Sequence, residues 1–196
     1  FDGELGTGLL LRLSLLENDP HGGNLPDPIY GNQLKDVAIS GQVVPGAYSI
    51  TYENYTETYA DGTQVTLRKP IYTIKNLGYG PLARTVQVSP RIANQMIGMG
   101  LLEAIPEATI LGFQDISDAN GDGISGKANY VFDVSSQSTK MGRFGWKANQ
   151  PTVKQQVASA FSGDIGITSS IFPNENLPVG FDGSTIPNGG NPEITD

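Results

Sequence analysis

The chain has 196 residues, no cysteine, 12 Lys+Arg against 20 Asp+Glu, a formal charge of −8 and only 16% charged side chains. Without thiols it can build neither a disulfide scaffold nor a zinc ribbon, an iron–sulfur cluster, a cysteine nucleophile or the C-x-x-C-H that attaches a c-type haem. Its acidity argues against nucleic acid or an anionic membrane as the main partner, because both reward a basic face, and no apolar run reaches the roughly 20 residues of a membrane span.

A chain of this length can bury a real core and is expected to form a single domain or to be a fragment of a larger chain. Its 25 glycines and 13 prolines beside so few charges predict long ordered loops and a surface of uncharged polar side chains, a composition that leans towards a periplasmic or secreted location. The sequence starts at Phe1 rather than Met, which predicts that a leader or a larger upstream portion has been removed.

Residues 1–36 are expected to be loop-rich: Pro20, Gly22, Gly23, Pro26 and Pro28 preclude a regular element over 17–33. From 37 to 76, β-branched and aromatic residues predict an antiparallel β region, and Asp61-Gly62 between the runs 49–59 and 63–67 predicts a hairpin. Tyr48, Tyr52, Tyr55 and Tyr59 fall at helical spacing. The interleaved Ile50, Thr51, Thr56 and Thr58 favour a strand nonetheless, and a bulge near Asn54 is expected to change its face.

Ser89 as N-cap and Pro90 as first helical residue open a predicted helix over 90–105, whose stripe through Ile92, Met96, Ile97 and Leu101 ends before Pro106. Gly98 and Gly100 inside it cost about 1 kcal/mol each relative to alanine, so some group is expected to approach that backbone closely. Short strands are predicted over 130–134 and 140–144, and a second helix over 151–162 with Gly163 past its end. The fold class read from these elements is α+β, with a core over 37–172 and an irregular tail over 173–196.

The sharpest local motif is D-A-N-G-D-G-I-S-G over 118–126. A hard cation such as calcium needs converging oxygens, and this spacing offers the side chains of Asp118, Asn120 and Asp122 and the carbonyl of Ile124. The twelfth position, usually a bidentate Glu, is Asn129, so Asp115, Asp133 or another segment would have to close the shell. The same residues can equally form a loop held by its own side-chain to backbone bonds.

Other candidates carry less chemistry. His21 is the sole histidine and reads as a solvated loop residue; it cannot make a histidine metal site alone. Met96 and Met99 carry thioethers, which can be axial haem ligands but on an apolar stripe usually pack in a core. Glu103 and Glu107 read as surface carboxylates separated by Pro106. Asn54-Tyr55-Thr56 fits a glycosylation sequon that is common by chance. The 141–149 stretch sets the sole tryptophan, Trp146, near Arg143 and Lys147, which suits an anion contact or cation–π packing.

Several blocks taken together resemble the bacterial di-haem c-type oxidoreductases, a family of peroxidases or thiol oxidoreductases related to cytochrome c peroxidases. They are P-I-Y-G-N-Q-L (28–34), Y-A-D-G-T-x-V-x-L-R-x-P-x-Y (59–72), G-Y-G-P-L (78–82), S-P-R-I-A-x-x-M-I-G-M-G-L-L-E-A-I-P-E-A (89–108), D-A-N-G-D-G-I-S-G-K-x-N (118–129) and the run from G-R-F-G-W-K-A-N to G-D-I-G-I-T-S (142–169). Each is weak alone, but the set occurs in family order.

The resemblance implies an exported protein with two c-type haems and electron transfer through them. It also implies a C-x-x-C-H before the region matching 8–14 and another after the tail, which makes this chain the segment between the haem-attachment motifs, or a haemless descendant. After F-P-N-E-N (172–176), where relatives often carry cysteines, the chain reads L-P-V-G. The same resemblance makes Met96, Met99, Gly98, Gly100, Arg143 and Trp146 candidate haem-facing residues, the haem belonging to the remainder of the polypeptide or to a redox partner. The chain is not expected to be active alone. The competing expectation is a non-enzymatic, calcium-stabilised extracellular module that has lost haem.

Overall fold

The computed structural model describes residues 8–19, 23–93, 95–178, 181, 183 and 186–195; His21 lies outside them. The architecture is α+β and loop-rich, with antiparallel sheets and short helices. The chain divides into two compact units, Phe1–Ser14 with Pro26–Ala93, and Leu15–Leu25 with Asn94–Asp196.

The first unit is built on β1 (Leu9–Ser14), the middle strand of a three-stranded antiparallel sheet between β2 (Gln33–Leu34) and β5 (Gln87–Ile92). Alternation along β1 sends Leu11 and Leu13 inward, at 1% and 2% exposure, where they cluster with Tyr30 and Leu34. The long hairpin of β3 (Ala47–Thr58) and β4 (Gln64–Lys75) leans Tyr48, Tyr72 and Ile74 on that cluster at its base, while its far half is exposed on both faces. At its tip Gly62 adopts φ 87°, open to glycine at little cost, and Asp61 accepts a bond from the Thr63 amide at 2.9 Å.

The strands pair without interruption, with Asn54 opposite Arg68, so the expected bulge is absent. The tyrosines change face by parity alone: Tyr48 and Tyr52 occupy even positions, Tyr55 and Tyr59 odd ones.

The largest departure from the sequence expectation is at 90–105. Pro90 lies in β5, opposite Leu11, rather than opening a helix, and α1 spans only Met99–Glu103. Val88 and Ile92 gain sheet partners on β1 that a local helix would forgo, and β5 is an edge strand, where proline is tolerated. Gly98, at φ 79°, cannot lie inside a continuous helix and instead starts α1. Pro106 ends it as expected and precedes a second short helix, α2 (Glu107–Leu111).

The second unit continues with a hairpin of β6 (Tyr130–Asp133) and β7 (Ser138–Met141), then α3 (Val153–Ala160). Thr152 caps α3 by accepting from the Gln155 amide at 3.1 Å, and the helix runs on into a π-helical turn, Phe161–Ile165, stopped by Gly166 at φ 73° rather than by Gly163.

Candidate haem-packing face and the 118–126 loop

α1 is too short to hold itself together, and its C-terminal carbonyls are gathered by one side chain. Nη1 of Arg143 donates to Leu102 O at 3.3 Å, Glu103 O at 3.0 Å and Ile105 O at 2.6 Å. Glu103, read from sequence as a surface carboxylate, reaches the other way: its Oε1 accepts from the Val153 amide at 2.8 Å, at the start of α3. Arg143 and Glu103 thus clamp α1 to the frame of the second unit.

What the clamp leaves outward is apolar. Ile97 is 88% exposed, Leu101 80% and Met96 55%, whereas Met99 is half-buried. A side-chain carbon placed on Gly98 or Gly100 would meet no atom within 4 Å, so the space above that backbone is open. Trp146 is also exposed, at 56%. A cation–π contact occurs elsewhere, with the Arg68 guanidinium 4.6 Å from the ring centre of Tyr52.

The 118–126 loop closes largely upon itself. Asp122 N donates to Asn120 Oδ1 at 3.0 Å, Ile124 N to Asp122 Oδ1 at 2.8 Å and Gly123 N to Asp118 Oδ2 at 3.1 Å. Asp115 Oδ1 accepts from the Ala119 amide at 2.8 Å, and the backbones of Asp115 and Gly126 exchange two bonds across the loop's neck. Asn129 is engaged away from the loop, its Nδ2 donating to Lys147 O and Ala148 O at 3.2 and 3.0 Å. Asp118 Oδ1 is buried without a hydrogen-bond partner. Among the described residues no group of three or more His, Cys, Asp or Glu is placed to hold a metal ion.

Two buried polar anchors have little or no signal in the sequence. Asp27, 1% exposed, accepts from the amides of Ile29 and Tyr30 with Oδ1 and of Ala83 with Oδ2, each at 2.9 Å. Gln155, 5% exposed, accepts from Val134 N at 2.8 Å and donates to Phe132 O at 3.1 Å and Gln150 Oε1 at 3.0 Å. Only the Asp-Pro turn signal at 27–28 hints at the first; nothing local hints at the second. Asp133 is likewise buried, its carboxylate bonded to Lys140 Nζ, to Ser136 Oγ and to the Ser135 amide, and the Lys140 bond above all holds it below the ordinary aspartate range.

The described residues thus form an antiparallel, loop-rich α+β scaffold with exposed apolar side chains over 96–101, just before and on α1. The family model described as "Di-haem oxidoreductase, putative peroxidase" matches residues 31–182, more than three quarters of the chain, and the chain belongs to that family. No curated protein and no solved structure matches it.

The haem that the family implies meets an uneven fit here. A c-type haem needs two thiols and a histidine in C-x-x-C-H, and the chain has no cysteine and one histidine. The attachment chemistry therefore does not fit. The open surface over Gly98 and Gly100, beside exposed Met96, Ile97 and Leu101, suits contact with such a group and nothing more. Among the described residues no helix is long and apolar enough to cross a membrane.

Proposed function

We propose that this chain is the haem-motif-free central segment of an exported di-haem c-type oxidoreductase, forming a wall against which a haem attached to the remainder of the polypeptide, or to a redox partner, is packed. The apolar face at Met96, Ile97 and Leu101, left open above two glycines, is the observation that carries this reading. Three large apolar side chains at such exposure within the stretch 96–101, Met96 and Ile97 before α1 and Leu101 on it, are costly in water unless something covers them. Arg143, tied to the carbonyls beneath, positions the face rather than reaching a ligand. Electron transfer, with the peroxidase activity that the family description suggests, belongs to the haems of the whole assembly.

The polypeptide purified from its native source tests this. Intact mass and a visible spectrum are expected to show covalently bound haem and a Soret band in a chain that contains these residues, and Leu101→Glu is expected to shift that band. A haem-free native polypeptide of this sequence would sink the reading and leave the calcium-stabilised module. Calcium belongs to the same proposal as an accessory ion of the 118–124 loop. The unpartnered oxygen of Asp118 and the D-x-N-x-D-G spacing support it. Added calcium is then expected to raise the melting temperature, and Asp122→Ala to abolish that rise; a melting temperature indifferent to calcium and EDTA removes calcium from the proposal.

A further inference from the structure

Residues 187–195 are fastened to the second unit at Thr168. This buried threonine, 3% exposed, gives its amide to Glu193 Oε2 at 2.9 Å, and its Oγ1 and carbonyl accept from the amides of Glu193 and Ile194 at 3.0 and 3.2 Å. Ser169 and Ile194 thereby meet in a single parallel bridge, one step of a ladder and no more. The other carboxylate oxygen, Oε1, accepts from the Gly189 amide at 3.0 Å and folds the segment back on itself. Both the inner shape of the segment and its attachment therefore pass through Glu193. An ionised acceptor makes the stronger bond, so both depend on its charge.

What the segment covers is apolar. Ile194 and Thr195 share a cleft with Val157, Ala158 and Phe161 on and just beyond α3, and with Ile171. Phe161 also opens the π-helical turn, and the Ile167 amide closes back on its carbonyl at 3.0 Å, so Thr168 follows that turn directly. Single π-helical turns within helices are frequent at functional sites. Residues 187–195 are themselves exposed or half-buried throughout, and an exposed segment with little buried apolar surface of its own is the kind that opens locally.

We infer that residues 187–195 are a latch over the α3 cleft: Glu193, as a carboxylate, holds the segment shut against Thr168, and loss of that charge releases it and bares Phe161 and Ile171 while the rest of the second unit stays folded. The segment lies beyond residues 31–182, the part of the chain that the family match covers, and the latch does not rest on the haem-packing reading of 96–101. Two other charges bear on it. Glu175 and Glu193 repel each other, and Lys154 lines the cleft beside Ile194 and Thr195. The amide bonds prevail: those from Gly189 and then Thr168 hold Glu193 below the ordinary glutamate range, so the latch is shut at neutral pH and releases on the acid side.

Hydrogen exchange and carbene footprinting, both read by mass spectrometry on the whole natural polypeptide that contains these residues, test this at neutral pH. Glu193→Gln keeps the shape and removes the charge. Exchange of the Thr168, Gly189 and Ile194 amides is expected to quicken about tenfold, and labelling of Phe161 and Ile171 to rise, while the Val134 amide bonded to Gln155 stays as protected as in the parent. Thr168→Val, which keeps the shape and removes the hydroxyl, is expected to loosen the same amides to a smaller degree. Glu175→Gln is expected to slow them. In the parent, after correction for intrinsic exchange, they are expected to lose protection on acidification before Val134 does. Unchanged exchange in Glu193→Gln means that the carboxylate does not hold the segment. Equal quickening at Val134 means that the unit opens as a whole, and quickening without added labelling means that the cleft stays covered. Each of these results overturns the inference, as does a Glu175→Gln variant that loosens the segment.

Discussion

Leu11 and Leu101 are the same residue under opposite conditions: one 1% exposed in the cluster of the first unit, the other 80% exposed on α1 of the second. The contrast runs through both units. The first is organised around an apolar cluster, with Asp27 as a buried carboxylate anchor. The second is organised around polar side chains, Gln155, Asp133, Arg143 and Glu103, which tie loops and helix ends together while large apolar side chains face outward. Met141, Phe144 and Ala158 are buried there as well, but the large apolar side chains at 96, 97 and 101 take no part in that packing.

The largest expected effect breaks the comparison at its strong end. Leu11→Ala removes a fully buried side chain and should destabilise the first unit by about 3–4 kcal/mol, a typical cavity cost. Leu101→Ala should stay within about 0.5 kcal/mol of the parent, as for an exposed position. Urea unfolding of the two variants measures both. Equal losses would mean that the two leucines are not in the different situations described.

Next comes the polar frame. Gln155→Ala removes the acceptor of the Val134 amide and one donor to the Phe132 carbonyl, and a buried unsatisfied group costs about 1–3 kcal/mol. A loss of about 2–3 kcal/mol is expected, and Gln155→Leu should recover little of it because shape is restored without the bonds. Recovery to parental stability would show that packing, not hydrogen bonding, holds β6 to α3.

Much of the first unit's hairpin could be read from local chemistry, because Asp61-Gly62 closes a turn with bonds that span two to four residues. The helix expected over 90–105 could not be corrected locally. What displaces its first turn is the pairing of Arg91 with Leu10 and Pro90 with Leu11, some eighty positions apart in sequence, and β1 itself is a strand only because those partners exist. Asp27 shows the same limit, since its Oδ2 finds Ala83, 56 residues away. At the candidate face, no described group makes the close approach expected at Gly98 and Gly100; Gly98 is instead required by its φ of 79° at the start of α1. That Arg143 grips the carbonyls of α1 depends on a contact 38 to 41 residues long, which spacing along the chain does not encode.

Acid sharpens the contrast further, because the polar frame carries titratable groups. The folded Asp133 carboxyl is held below its ordinary range, chiefly by Lys140 and then by Ser136 and the Ser135 amide. The unfolded chain therefore takes up this proton first as pH falls. Asp133 contributes stability that is full above its ordinary range and is lost on the way down through its folded value. Asp133→Asn is expected to lower stability at neutral pH and to flatten the acid limb of the stability profile. A profile parallel to the parent's would overturn the assignment.

The smallest effect has the opposite sign. Glu175 is raised above the ordinary glutamate range, first by partial burial and then by the charge of Glu193. Glu193 itself is lowered, because its Oε1 accepts from Gly189 N at 3.0 Å and its Oε2 from Thr168 N at 2.9 Å. For Glu175 the folded state holds its proton more tightly than the unfolded one, so the stability it contributes is present at acid pH and is lost as pH rises through the folded value. Glu175→Gln should therefore match the parent at low pH and exceed it at neutral pH, by no more than about 0.5 kcal/mol because solvent screens the pair. Removing Glu193 instead, by Glu193→Gln, deprives the Thr168 and Gly189 amides of a charged acceptor and should destabilise at neutral pH. If both variants destabilise there, Glu175 is not held above its ordinary range; if both stabilise, the tail at 189–194 is held by something other than the Glu193 carboxylate.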